Sequence, residues 1–561
     1  MLIKDGISYE TSLDKAKILN DQFQSVFTIE PNSPLPCKGP SPHPTMCDIN
    51  ISLEGIYNLL LNINIHKACG PDQIYGRVLK ETADIISPFL KVLFQSSLDS
   101  GVIPDDWRSA NITPCFKQGD RQQPSNYQPI SIVSKLFEQI INSNIMKHLE
   151  ANNILSEQQY GFRHSCSCKT LLITLLHDLS HCYDAGIQTD MIFTDFAKAF
   201  DTVPRKRLLY KLEWHGIRGN IKNQISSFLN NHTQRVVLDG ISSPECSVLS
   251  VVPQGTVLGP TLFFIYMNDL PETISHSSVK LFADDCILYK AICTPDDVEK
   301  LQEDLSAFQD WQQKWLMKLN ISKCYIMRVS HPRRNKIISS YKIHNHILSS
   351  VDHHKYLGIT IQNDLKWHQH IQSMTSKANQ TLALLIRNLR TPSIQLRERA
   401  YLSLVRPKLE YAAAVWNPHL INDRNALEKV QRHAARYVKG IYTYDASVTQ
   451  MLNELQWESL KSHREQSRLI MLYNILKQNF ISHWNTYLNF TQRHRSTNYK
   501  PDPVICLDYL SHIVIPMLIS TPLCYVHQDY GTPYLVKLLK LLQQTPLNHY
   551  YMIILLDIIA S

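Results

Sequence analysis

The sequence predicts an α/β protein with a mainly helical region behind it. Three observations carry this prediction. Helix-like and strand-like segments alternate from about residue 58 to residue 361. After about residue 364, apolar side chains recur at helical spacing instead. A content of 44% hydrophobic and 19% charged residues is typical of a folded chain, and 561 residues exceed what a single core usually holds, so several domains are expected.

The composition narrows the cellular setting and the partners. A formal net charge of +8 is compatible with a polyanionic partner. The 13 cysteines show no paired spacing, which favours reduced thiols and hence the nucleus or cytoplasm. Cys166 and Cys168 have no second pair at zinc-ligand spacing, so we interpret them as non-ligands. No apolar run reaches the roughly 18 residues of a membrane helix, so no membrane partner is expected.

The elements are predicted in chain order from their local patterns. Leu19 and Phe23 follow helical spacing, and proline and serine then cluster from Pro31 to Pro44 as a linker. The apolar run Met191–Thr194 predicts a strand that ends at Asp195. A helix is expected after it, followed by two strand-like runs, a turn, an apolar segment and a capped helix. These lie at residues 204–216, 235–238, 246–252, 253–255, 261–267 and from Thr294.

The stretch KLFADDCILYK (Lys280–Lys290) places Asp284 and Asp285 between two strand-like runs, which predicts a hairpin turn. Neighbours on a straight strand point to opposite faces, so a turn is needed to bring both carboxylates to one side. Asp195 would complete a set of three carboxylates at strand ends, which suits divalent cations. Two such ions about 4 Å apart can activate a hydroxyl nucleophile and neutralise a leaving pyrophosphate. The alternative is that these aspartates are solvated turn residues or helix caps.

Motifs in the middle of the chain resemble the central palm motifs of reverse transcriptases of non-LTR retrotransposons, the jockey-like group in particular. They are TDFAKAFDTVP (Thr194–Pro204), VVPQGTVLGPTLFFIYMNDLP (Val251–Pro271) and KLFADDCILYK. The segments that resemble the fingers are KACGPDQI (Lys67–Ile74), DDWRSANITPCFKQGD (Asp105–Asp120), NYQPISI (Asn126–Ile132) and QYGFR (Gln159–Arg163). The segments that resemble the primer-grip hairpin and the helical region after it are KYLGITI (Lys355–Ile361), VRPKLEYAAAVWNPH (Val405–His419) and VQRHAARYVKG (Val430–Gly440).

The resemblance implies a right-hand polymerase fold, with fingers, a palm that carries an antiparallel sheet, and a helical thumb. The implied domains are an N-terminal helical extension and linker (1–60), fingers and palm (61–361, core from about 97), a helical thumb and C-terminal region (362–484) and a diverged tail (485–561). The implied activity is RNA-directed DNA polymerase, which adds dNTPs to a DNA primer on an RNA template. The implied cofactor is Mg²⁺, as two ions, with Mn²⁺ as the alternative.

The resemblance also implies roles for individual residues. Asp195, Asp284 and Asp285 would be the catalytic metal ligands. Phe200 would exclude a ribose 2′-hydroxyl group, and Asp201 would cap the next helix. The remaining nucleotide contacts would come from Lys117, Gln254, Gly255 and Lys323.

A basic helix face is a candidate nucleic-acid contact on its spacing alone. Lys429, Arg432, Arg436 and Lys439 are spaced i, i+3, i+7 and i+10, so they share one face of a helix. Such a face would match the phosphates of a nucleic acid. The alternative is an ordinary solvated face.

Several departures from the family pattern favour a second function. Gln128 stands where the family has an arginine that grips the triphosphate, and glutamine offers neither the charge nor the guanidinium fork. The chain begins just before the fingers, so the upstream endonuclease domain of these elements is expected to be absent. The resemblance fades after about Asn498. The alternative function is therefore a catalytically inactive, retrotransposon-derived remnant that binds RNA.

Overall fold

The computed structural model of the chain describes residues 1–32, 34–65, 74–104, 107, 109–117, 119–132, 135–230, 233–248, 250, 252, 255–333, 336–389 and 393–476. Most of the KACGPDQI motif, Gln254 and the predicted tail from residue 485 lie outside these ranges. The chain divides into two compact units. The first comprises Met1–Arg163, Met191–Ile326 and Ile338–Ser350, and the second comprises His164–Asp190, Met327–Ile337 and the described residues from Val351 onward. The units are thus interleaved in sequence, whereas the predicted domains are continuous.

Helices and strands alternate through the first 362 residues, and the later elements are helical, as the sequence predicts. The helices are α1 (Ser12–Gln24), α2 (Leu53–Leu61), α3 (Gly76–Glu81), α4 (Ala83–Ser100), α5 (Lys135–Ala151), α6 (Cys168–Asp184), α7 (Ala199–Thr202), α8 (Arg205–Trp214), α9 (Gly219–Leu229), α10 (Leu258–Met267), α11 (Pro295–Lys314), α12 (His368–Asn388), α13 (Ile394–Leu404), α14 (Arg406–Glu410), α15 (Ile421–Lys439), α16 (Val448–Glu454) and α17 (Leu460–Leu476). The strands are β1 (Leu2–Lys4), β2 (Ile7–Tyr9), β3 (Ser109–Phe116), β4 (Tyr127–Ile132), β5 (Gln188–Thr194), β6 (Thr233–Leu238), β7 (Ile241–Ser242), β8 (Cys246–Ser247), β9 (Ser278–Phe282), β10 (Asp285–Ile292), β11 (Tyr325–Val329), β12 (Lys342–Ile343), β13 (His346–Ile347), β14 (Ser349–Ser350), β15 (His353–Tyr356) and β16 (Ile359–Gln362).

A central five-stranded sheet has the strand order β14-β11-β5-β10-β9. β9 and β10 are antiparallel, whereas β11 and β14 are parallel. The boundary between the two units falls within β5 and within β11. β5 lies in the middle of the sheet and all of its residues are buried, which explains the apolar run Met191–Thr194 in the sequence.

A second sheet in the first unit has the order β4-β3-β6-β7, with β8 also paired to β6. β3 runs antiparallel to β4 and parallel to β6. The amphipathic helix α1 packs against β6, because Leu19 and Phe23 share a small core with Ile112 and Val236. The helical spacing near the N-terminus therefore belongs to a helix that covers a sheet.

The main core of the first unit surrounds helix α10. Every residue of α10 except Pro260 is buried, so the helix is apolar on all sides. α10 packs against α5 and α8, and α11 packs against β10. The capping box predicted at Thr294 is present: the Thr294 side chain and the N3 residue Asp297 exchange hydrogen bonds at the start of α11.

The expectation that Asp201 caps the next helix is wrong. Pro204 is the N-cap residue of α8, and the first-turn amides of Lys206 and Arg207 donate to the Glu30 carboxylate at 2.8 Å and 3.3 Å. Asp201 lies within α7 and is buried. Asp201 is therefore part of the short helix α7, which ends before Pro204.

The proline- and serine-rich segment predicted as a linker is held onto the first unit by specific contacts. The Lys38 ammonium group lies 2.7 Å from the Asp269 carboxylate, and the Met46 amide donates to the Gly216 carbonyl at 2.9 Å. Gly216 has φ +88°, and a β-carbon on it would lie 2.1 Å from the Pro44 carbonyl oxygen. Glycine is needed at residue 216 because the segment passes so closely over it.

The second unit combines the β15–β16 hairpin with α6 and the helices from α12 to α17. The hairpin predicted from KYLGITI is confirmed, and its turn residues Leu357 and Gly358 both have positive φ. The Tyr411 hydroxyl donates to the Leu357 carbonyl at 2.9 Å. α12 packs against α15, and α17 packs against α14 and α15. Across the described parts of both units, no helix is long and apolar enough to cross a membrane.

Candidate active site

The hairpin predicted at the adjacent aspartates is confirmed. β9 and β10 pair so that Asp285 lies opposite Phe282, which leaves Ala283 and Asp284 as the two turn residues. Ala283 has φ +57°, a left-handed conformation that is unusual for a residue with a side chain. The turn thus places Asp284 at its tip and Asp285 at the first position of β10.

Asp195 comes to the same edge of the sheet because it directly follows β5, the strand beside β10. The Thr194 hydroxyl donates to the Cys286 carbonyl at 3.2 Å and ties the ends of these two strands together. The end of β5 and the start of β10 therefore meet, as the sequence predicts for a three-carboxylate set.

A segment after α11 brings Lys323 to Asp195. The Asn320 amide donates to the Asp195 carbonyl at 2.8 Å, and the Ala197 amide donates to the Lys318 carbonyl at 2.8 Å. The Lys323 ammonium nitrogen lies 3.6 Å from an Asp195 carboxylate oxygen. Both side chains are partly exposed, with 53% and 34% of their surfaces accessible, so this cation remains open to a ligand.

A cleft of about 510 Å³ in the first unit joins these groups. Six of the predicted site residues line it, and they are Lys117, Asp195, Phe200, Gly255, Asp284 and Lys323. Asp285 directly follows the lining residue Asp284 in the chain, and Gln254 lies outside the described residues. Gly255 has φ +92°, a backbone conformation that favours glycine.

The carboxylates of Asp195, Asp284 and Asp285 repel one another, and burial of Asp284 and Asp285 strengthens this effect. Burial raises the pKa of Asp284, and Asp195 adds to this effect while Lys117 opposes it. Burial, Asp284 and Asp195 together raise the pKa of Asp285 to about 6. The site therefore carries negative charge that the nearby lysines do not fully compensate, which favours a bound cation.

The oxygen donors fit Mg²⁺ in chemical type, since hard divalent cations prefer carboxylates. In the described part of the chain, however, no three histidine, cysteine, aspartate or glutamate side chains stand together at metal-ligand spacing. Joint ligation by Asp195, Asp284 and Asp285 therefore requires a closer approach than this conformation has.

Phe200 is held in a fixed orientation at the cleft. Its ring stacks on Phe263 with centroids 4.4 Å apart and meets Phe162 edge-on at 6.3 Å. Its carbonyl accepts a hydrogen bond from the Val252 amide at 2.9 Å. The ring is thus a rigid wall rather than a mobile side chain.

Lys198 is a cleft residue that the sequence reasoning missed. Its ammonium group donates to the carbonyls of Ser125 and Tyr127 at 3.2 Å and 3.3 Å. Burial lowers its pKa; Asp201 opposes this effect, and the cations Lys117 and Lys323 add to it. Its position inside TDFAKAFDTVP, between Asp195 and Phe200, was the signal that could have identified it.

The basic face predicted on α15 lies in the second unit, and its four residues differ in their surroundings. Lys429 and Arg432 are exposed. Arg436 donates to the Thr443 carbonyl at 3.0 Å, and Lys439 forms a 2.7 Å ion pair with Glu454. The accessible part of this face therefore centres on Lys429 and Arg432.

Comparison with known proteins agrees with this arrangement. Residues 117–361 match the family described as reverse transcriptase (RNA-dependent DNA polymerase). The RNA-directed DNA polymerase from mobile element jockey of Drosophila melanogaster is 27% identical over 411 residues, which cover 70% of this chain and 44% of that protein. Its counterpart from Drosophila funebris is 28% identical, with coverage of 70% and 44%. The probable RNA-directed DNA polymerase from transposon X-element of Drosophila melanogaster is 24% identical, with coverage of 73% and 47%.

The chain thus spans less than half the length of these relatives. The matched region contains the hairpin with Asp284 and Asp285, the strand that ends at Asp195, and the cleft residues from Lys117 to Lys323. The family match implies a palm-type polymerase fold, and the matched region contains both sheet and helix. Residues 117–361 are therefore a reverse transcriptase domain, and the chain is a relative of the RNA-directed DNA polymerases of jockey-like non-LTR retrotransposons.

Proposed function

We propose that this chain is an RNA-directed DNA polymerase that extends a DNA primer on an RNA template. The observation that carries the proposal is the convergence of Asp195, Asp284 and Asp285 at one sheet edge, beside a cleft that also contains cationic side chains. In this proposal the first unit supplies fingers and palm, and the helices from α12 to α17 supply a thumb. The family match and the jockey-like relatives support the same activity.

The reaction joins the primer 3′-hydroxyl oxygen to the α-phosphorus of a dNTP and releases pyrophosphate. Asp195, Asp284 and Asp285 would hold two Mg²⁺ ions, or Mn²⁺, and bound ions of this kind acidify the attacking hydroxyl and neutralise the leaving group. Lys117 and Lys323 line the same cleft as Asp195 and Asp284 and would bind the triphosphate. The exposed Lys323 would exchange its ion pair with Asp195 for the phosphate.

The other cleft residues would select and orient the nucleotide. The rigid Phe200 ring would leave no room for a ribose 2′-hydroxyl group. Gly255, with its positive φ and no side chain, would let the backbone approach the nucleotide, and Gln254 would contact the nucleotide and template beside it. Lys429 and Arg432 would contact nucleic-acid phosphates, with Arg436 and Lys439 turned partly to partners within the second unit.

One observation favours a catalytically inactive, RNA-binding remnant as the second candidate. Gln128 lies on β4 opposite Cys115, directly after the cleft residues Asn126 and Tyr127. An arginine here could pair with the triphosphate, whereas glutamine supplies no charge.

Primer extension on an RNA template with a DNA primer, dNTPs and Mg²⁺ separates the two candidates. Four proteins are compared: wild type, Asp284→Ala, Gln128→Arg and the double variant. We expect extension by wild type, faster extension by Gln128→Arg, and none by either variant that lacks Asp284. Silence from all four folded proteins, together with retained RNA binding, would reject the polymerase in favour of the remnant.

A further inference from the structure

The segment Gln158–Gly161 runs beside β9 and reaches the catalytic turn. The Leu281 amide donates to the Gln158 carbonyl at 2.9 Å, and the Tyr160 amide donates to the Leu281 carbonyl at 2.8 Å. Gln159 forms a parallel bridge with Leu281, two residues before Ala283. The segment therefore continues the central sheet beyond β9 and ends level with the turn.

The Gln159 side chain contacts that turn through both its amide oxygen and its amide nitrogen. Its oxygen accepts from the Ala283 amide at 3.1 Å and from the Gly161 amide at 2.9 Å. Its nitrogen points to the Ala283 carbonyl at 3.5 Å. Gln159 is completely buried, so water does not compete for these contacts. Both polar backbone groups of Ala283 are thus engaged by one side chain.

Ala283 is the turn residue that most needs such support. Its φ of +57° is disfavoured for alanine, and the next two residues are Asp284 and Asp285. A relaxation of this φ toward an ordinary value would rotate the peptide that carries Asp284. The direction of the Asp284 carboxylate therefore depends on what holds Ala283.

Gly161 supports the same turn from close range. A β-carbon on Gly161 would lie 2.4 Å from the Ala283 nitrogen and 3.1 Å from its α-carbon. Both atoms belong to backbone, so the overlap could not be relieved by a rotation of a side chain. The backbone at residue 161 and the Gln159 amide together fit closely around Ala283.

We propose that Gln159 is a positioning residue for the polymerase reaction. It holds Ala283 in its left-handed conformation and thereby directs Asp284 and Asp285 into the cleft. The close backbone of Gly161 limits movement of Ala283. This proposal rests on the proposed function, because it assigns Gln159 to the carboxylates of that site. A glutamine with a purely structural role at a sheet edge would bond to a strand without reactive groups. Here the side-chain oxygen and nitrogen of Gln159 both contact the backbone of Ala283, the residue directly before the two aspartates.

The variants Gln159→Met and Gly161→Ala test the proposal from two sides. Methionine has about the volume of glutamine but cannot make the hydrogen bonds to the Ala283 amide and carbonyl. Alanine at residue 161 keeps the Gln159 side chain, but its β-carbon would displace the backbone of Ala283. Gln224→Met is the matched control, since Gln224 is also fully buried in the first unit but bonds to the Ser97 hydroxyl. The measurements are hydrogen–deuterium exchange of the peptide 278–290, thermal stability, and kcat and KM for dNTP.

We expect faster exchange in the turn peptide of Gln159→Met and Gly161→Ala, with no such change in Gln224→Met. Their kcat should fall roughly 10- to 100-fold because misaimed carboxylates lose the reactive geometry, while KM for dNTP stays within about 2-fold. A purely structural role would instead lower stability and kcat alike in Gln159→Met and in the control.

Unchanged exchange in the turn of Gln159→Met would overturn the proposal, whether or not the protein polymerises. Faster exchange with wild-type kcat would also overturn it, since the turn would then need no clamp. Hydrogen exchange needs no catalysis, so an inactive wild-type protein would count against the proposed polymerase alone. Binding of Mn²⁺ by that protein, weakened in Gln159→Met and Gly161→Ala but not in Gln224→Met, would still support the aiming of the carboxylates, and equal Mn²⁺ binding would reject it.

Discussion

At the residue scale, Phe200 offers a direct test of nucleotide selection. Its ring is fixed between Phe162 and Phe263 at the cleft wall, so the space that it fills is constant. We expect Phe200→Ala to incorporate rNTPs roughly 10- to 100-fold better relative to dNTPs, because the cavity then admits a 2′-hydroxyl group. Competitive incorporation of ATP and dATP measures this ratio. An unchanged ratio in an active variant would show that Phe200 is only a packing residue.

His215 predicts an acid sensitivity of the first unit. It is 1% exposed, neither ring nitrogen has a hydrogen-bond partner among the described residues, and burial together with Lys38 lowers its pKa to about 3. The folded state excludes a proton that the unfolded state binds below its ordinary pKa of about 6.5. Folding stability is therefore unaffected by this group above pH 6.5, and it falls as the pH drops from 6.5 toward 3.

Between pH 6.5 and pH 5 the contribution of His215 is about 2 kcal/mol of unfolding free energy. Urea unfolding of wild type, His215→Gln and the exposed-residue control His346→Gln at several pH values measures it. The slope should flatten only in His215→Gln. Parallel slopes for all three proteins would mean that other groups carry the acid response.

The residue types at the site were predictable, but some of their partners were not. Asp195, Asp284, Lys117 and Phe200 stand in the quoted motifs, and all four line one cleft together with Lys323. Gln159 and Lys198 also stand inside quoted motifs, yet their roles depend on hydrogen bonds to distant backbone groups, which no local pattern encodes. Asp201 was expected to cap α8, but the first-turn amides of that helix donate to Glu30, which lies 176 and 177 residues earlier in the sequence.

At the element scale, the start of α10 depends on a charge from another helix. Glu138 of α5 is buried, and its carboxylate accepts from the amides of Val257 and Leu258 at 2.7 Å and 3.1 Å. A carboxylate at a helix N-terminus satisfies free amides and complements the helix dipole. Because Gly255 of the cleft lies two residues before Val257, this contact also supports the part of the cleft that Gly255 lines.

We expect Glu138→Ala to lower the unfolding free energy by about 2 kcal/mol and Glu138→Gln by less, since the amide oxygen still accepts but carries no charge. Chemical unfolding is the measurement, with the exposed Glu150→Ala on the same helix as the control. Equal stability of Glu138→Ala and Glu150→Ala would contradict a capping role for Glu138.

Elements with a clear period or a clear turn were predictable, and the others were not. The β9–β10 hairpin carries two strand-like runs around turn residues, and α11 carries a capping box, so local patterns identify both. The β15–β16 hairpin was expected from the family resemblance of KYLGITI. α10 is buried on every side and therefore shows no 3.6-residue period, which is why the sequence predicted only an apolar segment there.

At the scale of the whole molecule, a buried charge cluster ties distant parts of the first unit together. Asp269 lies 2.6 Å from the ammonium group of Lys211 and 2.7 Å from that of Lys38, and it accepts from the Trp311 indole at 2.9 Å. Burial opposes ionisation of Asp269, but the two ammonium groups more than offset it and hold its pKa well below the usual range. The N-terminal segment is thus attached to α8 and α11 through one carboxylate.

Lys38→Met should lower the unfolding free energy by about 1–3 kcal/mol, because a buried carboxylate loses one of its charged partners. It should also make the segment around Lys38 more sensitive to limited proteolysis. The exposed Lys91→Met is the control for loss of a positive charge. If both variants unfold and cleave like wild type, the N-terminal segment is not held by this cluster.

The division into compact units has no signal in the local sequence. The two units interleave three segments each. Their boundaries depend on which strands pair, and β5 pairs with strands that follow it by about a hundred residues or more. Local propensity carries no information about such distant partners.

The strand order also determines when the central sheet can form during synthesis of the chain. β5 emerges from the ribosome long before either of its neighbours, and β14, the last strand of the sheet, ends at Ser350. At roughly 5–20 residues per second, synthesis from the end of β5 to the end of β10, the first of its two neighbours to be made, takes some 5–20 s, during which β5 has no partner on either side. The sheet edge that carries Asp195, Asp284 and Asp285 can form only after β10 has left the exit tunnel, so a message cut short before the codons of β10 would yield a chain with an incomplete site and with an apolar strand open to chaperones or aggregation.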